Sequence, residues 1–388
     1  MTSRRAFLGG AASVTAAVAA AASPASAQFA PLASVAVIGP ESGAQVALGQ
    51  QMVNGVRGCF DDINGLRTTA STRFWAVRPF DDQNTLANAL LVSRFAIEDQ
   101  NQCGAIGHLS GKITSQVLRY YADANMALIV PAATTDSITA QGYRNVFRLT
   151  TKDSTEGTLH AKFITAEKRA KKVAVVYVDG GDYGPEIAGT FLKQTSGDGL
   201  NPVDVRLSND RPDIEGAATT IVQSQADLVF FAGLAPALGR IVPALRNAGW
   251  NGQFDGSAGF FDAGLWPSYG KQIEGLIVST SMPPLQIVPA ALAIKSQYEG
   301  TYGPMSPIAA FAYAAAQIYV TAVQRFGSTS RVLVARAIAQ PIPIQTLVGT
   351  FTFDAFGDPM DPNVYFYRLE GGTWHYVRAA HPSSYIVR

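Results

Sequence analysis

KKVAVVYVDGGDYGPEIAGTF, Lys171 to Phe191, decides the fold. An apolar strand (Val173–Val178) runs into a glycine-rich polar loop and then into a helix. The same three-part unit stands much earlier in the chain. There VAVI, Val35–Ile38, leads into GPESGA and then into a helix from about Ala47 to Ile63. Two copies of one unit, more than a hundred residues apart, point to an internal duplication at the level of architecture.

Working outward, short apolar runs alternate with helical patterns on both sides of the stretch. Before it, strands are expected at Phe74–Phe80, Ala105–Leu109 and Ala127–Val130, with helices between. After it, strands are expected at Pro202–Leu207, Leu228–Ala232 and Gln253–Asp255. Strand-helix alternation of this kind builds a parallel sheet flanked by helices. The fold class is therefore α/β, with two Rossmann-like lobes. The segments after Glu274 are too few for a third domain, so they complete the two lobes. The expected first lobe is 28–151 plus 280–346, and the second is 152–279 plus 347–388. That division requires a three-crossing hinge, near Thr150–Ser154, Val278–Met282 and Ile344–Gly349.

The chain has 388 residues, 47% hydrophobic and only 15% charged, a globular composition. Residues 1–27 read as an export signal: Arg4 and Arg5, an apolar middle, and Ala25-Ser26-Ala27 as cleavage site. The adjacent arginines resemble a twin-arginine signal, which implies a periplasmic protein exported by that route. The Ala- and Gly-rich middle is too weakly apolar to serve well as an anchor. Without Arg4 and Arg5, 28 basic residues face 29 acidic ones. This balance offers no electrostatic case for nucleic acid.

In open parallel sheets the site lies outside the carboxyl ends of the strands. Those ends are GPESGA, LSGKIT, PAATTD, DGGDYG, AGLAP and GSAGFF, all small, polar or glycine-rich. Helix N-termini follow several of them and would aim N–H groups at an anion. Marks of catalysis are missing. The four histidines, His108, His160, His375 and His381, have no metal-ligand spacing. GHLSG is neither a nucleophile elbow nor a P-loop, and GGDYG lacks the dinucleotide glycine order. No catalytic residue, metal or cofactor is expected, and His108 reads as a core histidine.

The stretches VIGPESGAQVALGQQMVNG, IGHLSGKITSQ, ALIVPAATTDSIT, VYVDGGDYG and FDGSAGFFDAGL, in that order, resemble the branched-chain amino acid class of periplasmic solute-binding proteins. These are the type I two-lobed receptors of ABC importers. The resemblance implies a monomeric, non-catalytic receptor that traps a small solute and presents it to permease and ATPase subunits. It also implies that Ser110, Gly111, Ala132 and Thr134 hold a ligand carboxylate, and that Tyr183 closes over the ligand. The same fold serves ligand-sensing modules for signalling partners, and a neutral amide is a further alternative ligand.

Two departures bear on the ligand. Where the family pattern has an acidic side chain for an ammonium, this chain has Ala258. Where it often has an aromatic residue, this chain has Leu234. A buried ammonium without a counter-charge is costly. Either Glu41, Asp182, Asp255 or Asp262 supplies the charge, or the ligand lacks an ammonium. The expected body of the ligand is apolar or aromatic, facing Leu48, Tyr183, Leu234 and Phe260, with benzoate-like or branched aliphatic acids fitting better than charged amino acids; the alternative is that Phe260 and Phe261 are core residues. The two cysteines, Cys59 and Cys103, are expected at the same end of the first sheet, within about 7 Å, compatible with a disulfide. The alternative is a pair of buried thiols.

Overall fold

The computed structural model describes residues 32–65 and 74–383, so the expected export signal, residues 1–27, lies outside the described residues. The first sheet contains β1 (Leu32–Gly39), β2 (Phe74–Asp81), β3 (Gln102–Gly107), β4 (Leu128–Val130) and β5 (Val146–Arg148). All neighbours are parallel, in the order β2-β1-β3-β4-β5. β1 is buried along its length after Leu32, as a strand covered on both faces must be.

The second sheet starts with β6 (Val173–Val178), β7 (Val203–Leu207), β8 (Leu228–Phe231), β9 (Gln253–Gly256) and β10 (Ile277–Thr280). Its order is β7-β6-β8-β9-β10, the order of the first sheet repeated. The duplication is therefore topological as well as local. A short hairpin, β11 (Ile344–Thr346) and β12 (Gly349–Phe351), stands apart as its own two-stranded sheet. β13 (Val364–Glu370) and β14 (Thr373–Ala380) then extend the second sheet antiparallel beyond β10.

Helix Pro307–Phe326 belongs to the first lobe. It packs so closely on helix Val46–Gly65 that a Cβ at Gly55 would lie 2.2 Å from the Ala309 carbonyl oxygen. The Tyr319 hydroxyl accepts from the backbone N–H of Ala105 (3.0 Å) and lies 2.7 Å from the Ala127 carbonyl oxygen, pinning the helix to β3 and β4.

The three crossings meet. Thr151 donates its N–H to Ser281 Oγ (2.8 Å) and its hydroxyl to the Asn363 carbonyl (3.1 Å). The first crossing runs from β5 into helix Asp153–Ala166, and the second follows β10. The third falls later than Ile344–Gly349, because Leu347, Val348, Phe351 and Phe353 all pack in the first-lobe core. The chain joins the second sheet only at Val364.

The expected disulfide is not formed: Cys59 and Cys103 are both buried in the same core without a bridge. Cys59 neighbours Tyr313, and Cys103 neighbours Tyr319. Six residues of helix separate those tyrosines by about 9 Å, so the thiols sit against different turns of one helix. Burial, with Asp62 nearby, pushes the Cys59 thiol well above its usual range.

Candidate functional site

Between the lobes lies a cleft of about 560 Å³. The first lobe contributes the loop after β3, the loop after β4 and Leu48. The second contributes the loops after β6, β8 and β9. Of the sequence-expected residues, Leu48, Ser110, Gly111, Ala132, Thr134, Tyr183, Leu234 and Ala258 all line it.

Phe260 does not. It is 1% exposed and stacks on Phe231 at 4.7 Å, with ring planes 3° apart. The loop after β9 turns the ring into the second-lobe core, and Phe261 packs on Tyr367 and Trp374. The apolar wall comes instead from Ile308 and Phe311, at the start of helix Pro307–Phe326. No local signal in that alanine-rich helix marks it as part of a site.

Each loop is held by identifiable contacts. Ser110 caps helix Gly111–Asp123, its Oγ accepting from the Ile113 N–H at 3.2 Å. That helix therefore opens at the cleft with its positive end. A Cβ at Gly111 would lie 2.9 Å from Cβ of Thr135, so Thr135 fills the space a side chain there would need. Beneath the loop after β4, the fully buried Arg148 donates to the carbonyl oxygens of Thr134 and of Thr135 (2.8 Å). It also donates to Thr139 Oγ1 (2.7 Å) and Asp358 Oδ1 (3.0 Å). The PAATTD segment is thus moulded over a guanidinium whose charge is met by Asp358.

Contacts also cross the mouth. Lys112 donates its N–H to Asp182 Oδ1 (2.9 Å) and its ammonium to the Gly180 carbonyl (2.7 Å). Glu186 Oε2 accepts from the Asp136 N–H at 3.2 Å. The lobes are therefore latched in a closed arrangement. Asp182 is engaged in that latch. Asp255, bound by Arg169 (2.7 Å) and His160 (3.2 Å), lies fully buried behind the site. Asp262 turns back to the Gly264 N–H (2.6 Å), and Glu41 does not line the cleft.

Two acids that the sequence reading passed over do line it: Asp153 and Glu156, both in the first turn of helix Asp153–Ala166. They are 2% and 4% exposed. Glu156 Oε1 accepts from the Ala258 N–H at 2.7 Å and lies 2.8 Å from Ser279 Oγ. Asp153 Oδ1 has no hydrogen-bond partner among the described residues, and neither has the Tyr183 hydroxyl. Burial pushes Asp153 up to about 7, with Thr134 opposing and Glu186 and Asp136 adding to the rise. Burial likewise pushes Glu156 up to about 8, against the bonds from Ser279 and Ala258. The cleft thus has a donor-rich side, an apolar wall and a pair of buried carboxyl groups.

A family model described as a periplasmic binding protein matches residues 33–373. The Leu/Ile/Val-binding protein of Escherichia coli (strain K12) is 27% identical over 328 residues, 84% of this chain and 87% of the relative. Among solved structures, the fold matches LivJ, the branched-chain amino acid transporter substrate binding protein of Streptococcus pneumoniae, in complex with isoleucine. Its TM-score is 0.81 at 20% identity, covering 90% of this chain and 100% of that one. A solute binding protein of an ABC transporter from R. palustris, in complex with benzoate, matches with a TM-score of 0.77 at 20% identity. That match covers 90% of this chain and 96% of the other.

Proposed function

Because the chain belongs to the periplasmic binding protein family, we infer that it is the extracytoplasmic receptor of an ABC importer. It captures a small carboxylate-bearing solute between its lobes and presents it to permease and ATPase subunits. Export by the twin-arginine route is part of the same proposal. The observation that carries the reading is the closed cleft of about 560 Å³, to which both lobes contribute recognition loops. Its volume suits a molecule of amino acid or benzoate size rather than a polymer.

In this reading Ser110, Gly111 and Thr134 hold the carboxylate, helped by the positive end of helix Gly111–Asp123. Leu48, Leu234, Ile308 and Phe311 surround the apolar body. Contacts to both lobes stabilise the closed state, which is how a solute drives hinge closure. A thermal-shift screen of the mature protein against amino acids, aromatic acids and aliphatic acids tests the proposal. A true ligand at 100 times its Kd adds about 2.7 kcal/mol of stability. No stabilisation by any member of the panel would refute it.

A further inference from the structure

We propose that Glu156, with Asp153 beside it, is the specificity-determining cation subsite of the cleft, taking the ammonium of a zwitterionic solute and releasing a proton as it does so. The inference rests on the receptor reading above and narrows its substrate class.

Position is the first support. Glu156 Oε1 sits 2.7 Å from the backbone N–H of Ala258, so a carboxyl group from another element occupies the neighbourhood of that alanine. Asp153 is three residues earlier on the same helix face. Its Oδ1 is buried in the cleft wall without a hydrogen-bond partner among the described residues. A buried polar atom left without a partner is costly, and a ligand donor would satisfy it.

Proton counting is the second support. Both Asp255 oxygens accept from Arg169, Oδ1 from Nη2 at 2.7 Å and Oδ2 from Nε at 3.2 Å. His160 Nε2, 3.2 Å from Asp255, must therefore donate to it. His160 Nδ1 lies 2.9 Å from Ser279 Oγ, and that Oγ lies 2.8 Å from Glu156 Oε1. The Ser279 hydroxyl has one hydrogen for two contacts. Ser279 donates to Glu156 when that group is a carboxylate; if His160 is neutral, Ser279 donates to His160 instead, and Glu156 must be protonated so that the bond reverses and Glu156 donates to Ser279. If Glu156 is ionised, His160 must be a cation. Either way the Glu156–Ser279–His160 chain holds one more proton than a glutamate and a neutral histidine. Burial pushes His160 down, against the hydrogen bond and charge of Asp255, and pushes Glu156 up, so the proton is assigned to Glu156.

The groups facing these two acids agree with that state. Glu156 meets Ser279, the Ala258 N–H and the nearby Tyr183. Asp153 meets Thr134, with the like charges of Asp136 and Glu186 opposed by Arg148. An arriving ammonium favours the ionised form, so the Glu156 proton passes to solvent as the ion pair forms.

The test uses the mature protein and a thermal-shift panel of the twenty amino acids with benzoate and branched aliphatic acids. At least one zwitterionic amino acid should bind. Calorimetry of that amino acid in phosphate and in Tris at pH 7 should reveal release approaching one proton. Its affinity should rise from pH 6 to pH 8, by up to about tenfold per unit. Glu156→Gln should weaken it roughly 30-fold or more and abolish the release. If that variant does not fold, the proton count and pH slope of the wild-type protein decide alone. Binding only by acids without an ammonium would overturn the inference and leave the receptor reading standing. Binding by nothing in the panel would overturn both. Amino acid binding without proton release and without loss in Glu156→Gln would also overturn it.

Discussion

The backbone N–H of Ala258 donates to Oε1 of Glu156 across 2.7 Å, joining the loop after β9 to the first turn of helix Asp153–Ala166. The residues are 102 positions apart. The side chain missing at Ala258 thus does not leave the region uncharged. It leaves room for a carboxyl group that arrives from the hinge side.

That carboxyl group should make the ligand-free protein pH-sensitive. Free glutamate and aspartate titrate near 4 in an unfolded chain. Asp153 is held at about 7 and Glu156 at about 8 in the folded protein. The folded state therefore binds more protons than the unfolded state between these values. Stability should fall as pH rises from about 4.5 to about 8, and level off above. Melting curves across that range check this, and Glu156→Gln should flatten the slope. A melting temperature that rises steadily from pH 5 to pH 8 would contradict it.

Arg148 should be a stability residue with a functional effect. Arg148→Leu removes the donors beneath Thr134 and Thr135 and leaves Asp358 with Lys152 and the Thr139 hydroxyl. Breaking a buried pair on one side costs about 3–5 kcal/mol. The remaining lysine should keep the loss near the lower end. Urea denaturation measures it, and a change under about 1 kcal/mol would show that the loop does not depend on the guanidinium.

Thr134→Val keeps the shape of the loop after β4 and removes one hydroxyl. If that hydroxyl bonds a ligand carboxylate, affinity should drop by about 1.5–3 kcal/mol, the range for a hydrogen bond to a charged group. Titration calorimetry reads it directly. An unchanged affinity would assign the hydroxyl to Asp153 instead, the acid it already opposes.

The latch should act on release more than on recognition. Lys112, Asp182 and Gly180 meet at an exposed mouth, where single polar contacts contribute about 0.2–1 kcal/mol. Asp182→Ala should speed ligand release several-fold and leave the association rate nearly unchanged. Stopped-flow fluorescence separates the two rates. A purely association-limited effect would argue that the latch forms before the solute is seated.

The sheets were legible because strands covered on both faces read as unbroken apolar runs, as in VAVVYV and LVFF. Their glycine-rich ends marked the cleft, and eight expected lining residues are in it. Asp153 and Glu156 were hidden by their own helix. Acids in a first turn look like ordinary partners of the helix dipole, and it is the packing of the loop after β4, of β10 and of the loop after β9 that buries them. Phe260 misled for a related reason: its stacking partner Phe231 comes from a different strand. The late third crossing arose from the hairpin β11–β12, whose apolar residues could pack in either lobe until the fold placed them in the first.

A crystal structure grown with the strongest stabiliser from the thermal-shift panel tests the central claim most directly. Density for the compound is expected between the lobes, with its carboxylate at Ser110, Gly111 and Thr134 and its body against Leu48, Leu234 and Phe311. Density outside the cleft, or a carboxylate turned toward Asp153 and Glu156, would contradict it.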